Sequence, residues 1–123
     1  MNKPDWDSVE KSLRHEFGSC KLKVDGIALT LSCVVLNRRL VIAWFIDGQF
    51  LGKWLNGDCI EGQKFARPSI KKLFSEKERK EFKRLGIKGM DKEITCYYWS
   101  WLSFQSLKRH LLKTCTDIEI YYD

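Results

Sequence analysis

Between Lys64 and Lys92 stand eleven cationic side chains: Lys64, Arg67, Lys71, Lys72, Lys77, Arg79, Lys80, Lys83, Arg84, Lys88 and Lys92. Four acids accompany them, Glu76, Glu78, Glu81 and Asp91, so this window carries +7 within a formal total of +6. A field concentrated in this way attracts polyanions, or an acidic protein face, and steers them in from a distance. With Ser75–Gly86 helical, Lys77, Lys80 and Arg84 form a stripe, with Lys83 and Arg79 on its flank. Phe82 and Leu85 then point the other way and anchor the helix. Arg67, Lys71, Lys72 and Lys88 extend the same surface. The competing reading is a solvated helix whose charges pair internally. Glu76 with Lys80, and Lys77 with Glu81, suit i,i+4 pairing worth about 0.2–0.5 kcal/mol each. Four acids can neutralise only four of the eleven cations.

A second group is aromatic: Tyr97-Tyr98-Trp99-Ser100-Trp101, then Phe104, then Lys108-Arg109-His110. Single-stranded nucleic acid is held by aromatic platforms beside cations, because every base offers a face to stack on. Core packing is the alternative for alternate rings of a strand, and it accommodates about two of them well. Crowding at one strand-to-helix junction leaves at least one ring for partner contact. Leu102 and Phe104 can seal the core there. Trp101 is therefore the ring expected to be partly exposed and to bind, alongside Lys108 and Arg109.

Catalytic patterns are missing. The chain has no G-x-S-x-G, no phosphate-binding P-loop, no G-x-G-x-x-G and no H-E-x-x-H. Its two histidines, His15 and His110, are far apart in sequence. Asp58, Glu61 and Lys64 only loosely match metal-nuclease spacing, and Cys59 has no base nearby in sequence to activate it. Five widely spaced cysteines without a C-x-x-C read as buried free thiols, with a Cys115–His110 zinc site as the minor alternative. No enzyme activity, catalytic residue, metal or cofactor is expected.

The elements that must position these groups follow from periodicity. Trp6, Val9, Leu13 and Phe17 mark a first helix, capped by Asp5 and stopped at Gly18. Cys20–Val24 and Ile27–Cys33 alternate about Asp25-Gly26, a hairpin signal. Leu40–Ile46 is apolar on both faces and belongs inside a sheet. Asp47-Gly48 leads to a fourth strand, Gln49–Trp54, and Asn56-Gly57-Asp58 ends the meander. Pro68 and Ser69 start a short helix over Ile70–Leu73. Ser75 and Glu78 form a capping box for a helix over Glu76–Leu85. Glu93–Tyr98 is a strand, Ser103 caps a last helix through Cys115, and Asp117–Tyr122 closes the chain as a strand. The predicted fold is α+β: one domain over residues 1–123, an antiparallel sheet of five to six strands with helices mainly on one face.

At 123 residues and 44% hydrophobic content, the chain can bury a single core. No apolar run approaches the roughly 18–20 residues that span a bilayer, and the N-terminus lacks a signal-peptide core. No membrane association and a cytoplasmic location are expected.

Several runs carry a resemblance: Phe65-Ala-Arg-Pro-Ser69, Lys71-Lys-Leu-Phe-Ser75, Tyr97-Tyr98, Trp99-Ser-Trp101 and Ser103-Phe-Gln-Ser-Leu-Lys-Arg-His-Leu111. Together they resemble small uncharacterised proteins of Mu-like phages and prophages, over most of the chain from Lys21 onward. That family's Tyr-Tyr-Ser-x-Tyr-Trp run is compressed here into Tyr97–Trp101. The resemblance implies a genomic context and no site residues. Small motif-free phage accessory proteins regulate phage genes or block host defences, CRISPR systems among them. The implied function is a stoichiometric, anti-CRISPR-like inhibitor bound to a host defence protein or ribonucleoprotein, in the host cytoplasm. The alternative is a DNA- or RNA-binding accessory protein.

Overall fold

The computed structural model describes residues 1–56 and 58–121. The chain runs through α1 (Lys3–Ser12), β1 (Ser19–Val24), β2 (Ile27–Leu36) and β3 (Arg39–Ile46), then a 3₁₀ turn at Gly52–Leu55 and α2 (Ile60–Phe65). It continues with β4 (Arg67–Lys72), α3 (Glu76–Arg84), β5 (Glu93–Tyr98), β6 (Ser100–Trp101), α4 (Phe104–Thr114) and β7 (Ile118–Ile120).

Hairpin geometry organises the main sheet. Asp25-Gly26 and Asn37-Arg38 all have positive φ (49°, 83°, 51° and 64°), the backbone of two-residue turns matched to strand twist. They join β1, β2 and β3 into an antiparallel meander, and β6 and β7 complete a five-stranded sheet in the order β6-β3-β2-β1-β7. Register places Leu22 opposite Leu29, Leu31 opposite Trp44, and Ile42 opposite Trp101, so these side chains share one face. Trp6, Val9 and Leu13 from α1, Phe65 from α2, and Leu107 and Leu111 from α4 join them in one core. Each such burial stabilises by about 1.5–3 kcal/mol. The expected α+β architecture, with helices mainly on one face, is the observed one. The interior position of Leu40–Ile46 also holds, since β3 lies between β2 and β6 with Val41 to Trp44 buried.

Several local expectations are corrected. Asn2 caps α1 rather than Asp5: its side chain accepts from the Asp5 N–H at 3.0 Å, while the Asp5 carboxylate accepts from the Asn2 N–H at 3.4 Å. The helix ends at Ser12, so Phe17 is outside it and 83% exposed. The Phe17 N–H already donates to the Cys33 carbonyl at 2.8 Å, and the Gly18 carbonyl accepts from the Cys33 N–H at 2.8 Å. This stretch is therefore committed to sheet bonding before Gly18.

The fourth meander strand does not form. Asp47-Gly48 makes its turn, but only the Ile46–Gln49 bridge follows. Phe50 then meets the Trp44 ring edge-on at 5.2 Å, and Trp54 stacks on Trp44 at 5.6 Å. Covering Trp44 bends the segment over the sheet instead of along it. Likewise Ile70–Leu73 is no helix: β4 pairs with β5 over its full length in a separate two-stranded sheet. Pro68 is tolerated because β4 is an edge strand with no ladder bond to lose on its open side. Tyr122, placed in the last strand, and Gly57, in the turn after the meander, lie outside the described residues.

Candidate polyanion-binding surface

β4, α3 and β5 form an arm, and residues 67–98 hold ten of the chain's 22 Lys and Arg. In β4, Arg67 stands directly opposite Tyr98 in the register, with Lys71 two pleats along the same face. The Arg67 Cζ lies 4.6 Å and the Lys71 Nζ 5.0 Å from the centroid of the Tyr98 ring. Cations placed over a ring gain about 0.5–1 kcal/mol each at exposed sites. The Arg67 Nε–H also donates to the Ser100 carbonyl at 3.0 Å, fixing the guanidinium. Hydrogen bonding to the Tyr98 hydroxyl raises the Lys71 pKa above its ordinary value, which keeps the ammonium charged. Lys72 belongs to the opposite face, where it pairs with Glu93 at 3.6 Å.

The Ser75 capping box forms as expected, and α3 presents Lys77, Lys80, Lys83 and Arg84 to solvent. Lys80 pairs with Glu76 at 3.4 Å. Glu81 reaches Arg84 at 3.7 Å rather than Lys77, and Arg79 meets Asp91 at 3.8 Å. Among the described residues, Lys77 and Lys83 make no ion pair. Surface pairs of this kind are worth about 0–1 kcal/mol, so they hold the helix only weakly. Leu85 does not anchor it, being 62% exposed. Phe82 packs instead on Phe74 within the arm, ring centroids 5.5 Å apart. No α3 residue is buried. Lys64 leaves the patch altogether: its ammonium pairs with Asp25 at 2.6 Å, 39 residues away.

The aromatic junction is arranged differently from the expectation. Trp101 is only 3% exposed, and its Nε1–H donates to the Phe65 carbonyl at 2.7 Å. Pairing of β6 with Ile42 of β3 turns Trp101 onto the core face, and Leu102 takes the outward place. Trp101 therefore offers no stacking face. Trp99 is half-buried, donating from Nε1 to the Trp44 carbonyl at 2.8 Å. Tyr98 alone of these rings meets the arm's cations. Lys108 and Arg109 also part company. The Lys108 ammonium sits 5.4 Å from the Trp6 ring centroid, whereas Arg109 is exposed and shares a concavity with Arg67, Ser106, His110 and Lys113. Ser106 and Lys113 were overlooked, although spacings of three and four along α4 place them on one face with Arg109.

All five cysteines are free; Cys33 is buried and the others half-buried, less deeply than expected. Burial pushes the Cys20, Cys33 and Cys115 thiols upward, away from thiolate reactivity. Among the described residues, no three His, Cys, Asp or Glu gather as metal ligands. No helix among them is long and apolar enough to cross a membrane. Compared with known proteins, the chain matches no family model, no curated protein and no solved structure.

Proposed function

We propose that this protein is a non-enzymatic binding module that engages a negatively charged partner through the basic arm. The observation that carries the reading is that α3 displays its cations without contributing one buried residue. Its composition is thus not dictated by the core, and its five cations against three acids suit a surface that faces a negatively charged partner. Taken with the resemblance to Mu-like phage proteins, the partner is a host defence protein or ribonucleoprotein. The protein then acts as an anti-CRISPR-like inhibitor in the host cytoplasm, by stoichiometric occupation. Arg67, Lys71, Lys77, Lys80, Lys83 and Arg84 make the contact.

A second reading, direct binding of DNA or RNA, is favoured by the two cations converging on Tyr98. One comparison separates the two. A CRISPR effector complex from the host is titrated with the protein, and a labelled single strand is titrated in parallel at rising salt. Inhibition that saturates at a fixed stoichiometry, with no strand binding at low salt, supports the first reading. Strand binding that weakens with a slope of several phosphates, and no inhibition, replaces it with the second. In either assay, Lys77→Ala with Lys80→Ala and Arg84→Ala lowers affinity at least tenfold, about 1.4 kcal/mol. The melting temperature stays nearly unchanged, because these side chains are exposed. Unchanged affinity with a sharply lowered melting temperature removes the arm from the interface.

A further inference from the structure

Where β4 begins, its first residue faces a row of α4 side chains across a concavity of about 410 Å³. Arg67 stands on one wall, and Ser106, Arg109, His110 and Lys113 on the other, with Trp101 beneath. Among the described residues no carboxylate lines this space, and Arg67, Arg109 and Lys113 make no ion pair. The contrast with the arm is direct, since Arg79, Lys80 and Arg84 each meet a carboxylate there. Three permanent positive charges around one hollow repel one another, and a bound anion turns that repulsion into attraction.

The walls are also fixed in place. Arg67 is held by the Ser100 carbonyl through Nε alone, leaving its two terminal amino groups for a ligand. The Ser106 hydroxyl oxygen accepts from the Ser103 hydroxyl at 2.8 Å and keeps its own proton to donate. His110 bonds through Nε2 to the Gln63 carbonyl at 3.1 Å, and its ring lies 5.0 Å from that of Trp101.

We propose that this concavity binds a dianionic phosphate group, either inorganic phosphate or a phosphate monoester, through Arg67, Ser106, Arg109 and Lys113. A guanidinium fork fits carboxylate and phosphate alike, so the charge decides. A phosphate monoester carries close to two negative charges at neutral pH and presents three oxygens that donors on opposite walls can share. A carboxylate supplies one charge and two oxygens in a plane. The site is separate from α3 and stands whether or not the α3 face binds a partner.

The test follows the Trp101 indole N–H and the Arg67 Nε–H by NMR while inorganic phosphate is added at constant ionic strength. Sodium acetate and sodium chloride serve as controls. Saturable shifts with phosphate, absent with both controls, are expected. Arg109→Gln combined with Lys113→Gln should weaken phosphate binding at least fivefold and leave the melting temperature nearly unchanged, as both side chains are exposed and make no ion pair, Arg109 donating from Nε only to the Gln105 carbonyl at 3.4 Å. A 5′-phosphorylated oligonucleotide and its 5′-hydroxyl twin identify the source. A fivefold preference for the phosphorylated strand, lost in the double variant, assigns the group to a strand end. No preference, with inorganic phosphate still bound, assigns it to a small phosphate compound. Equal shifts from phosphate, acetate and chloride overturn the proposal, as does undiminished phosphate affinity in the double variant.

Discussion

Trp101 shows how one residue's role turns on its strand's register. In sequence it stands last in a crowded aromatic run, and nothing local marks Ser100–Trp101 as paired to β3. A two-residue strand has no alternation to read, so the inward face becomes visible only through the Ile42 partner. Trp101→Ala removes a buried ring and its bond to Phe65, and a loss of about 3–5 kcal/mol in urea unfolding is expected. A loss under about 1 kcal/mol contradicts its core placement. Two titratable residues contribute to the response to acid. Burial, reinforced by Lys113, holds the His110 pKa below its ordinary value against the weaker opposing pull of backbone carbonyls. The unfolded chain therefore takes up this proton first, and stability falls as pH drops below about 6.5. Asp25 is depressed instead by Lys64 and by the Asp117 and Thr116 amides. Its contribution is present above about pH 3.9 and disappears below it. Thermal unfolding across pH should show both declines, and His110→Gln should abolish the first while sparing the second.

Elements with their own local signal were legible. The Ser75 and Ser103 caps and the Asp25-Gly26 turn depend on contacts within a few residues, and all are observed; Glu93–Tyr98 is a strand as expected, but paired to β4 in the small sheet. The misses share a cause, which is a distant partner overriding local preference. β4 is a strand because β5 pairs with it, despite a proline that reads as a helix start. Gln49–Trp54 leaves the sheet because Trp44 must be covered. The same covering depends on Gly62 of α2, where a Cβ would run into the Trp54 backbone carbonyl. Gly62→Ala should thus force the 3₁₀ turn off α2 and lower the unfolding midpoint in urea, although alanine favours helices. A midpoint equal to or above that of the unsubstituted protein rules out this close approach. Of the candidate site, sequence identified the cations but not their grouping. The charges were countable; the division of Arg67 and Arg109 from Lys108, and the withdrawal of Lys64, depend on tertiary packing.

Seen as a whole, the molecule separates what folds from what is charged. The apolar side chains of α1, α2, α4 and the five-stranded sheet form one core, while the arm extends from it on β4 and β5. The tip of that arm, residues 85–92, carries Lys88 and Lys92 in exposed positions. Three strands before the tip pair with strands after it: β4 with β5, β3 with β6, and β1 with β7. These pairs across the tip lead to the expectation that the folded protein holds together when the chain is cut there. Cleavage at a specific protease site engineered between Lys88 and Gly89 should yield two fragments that stay together on a sizing column, with the sheet's circular dichroism intact. Fragments that separate without denaturant would show that the strand pairs need the covalent link. If they stay together, the chain can be expressed as two complementary halves that assemble into one fold, with the basic tip as the natural place to divide it.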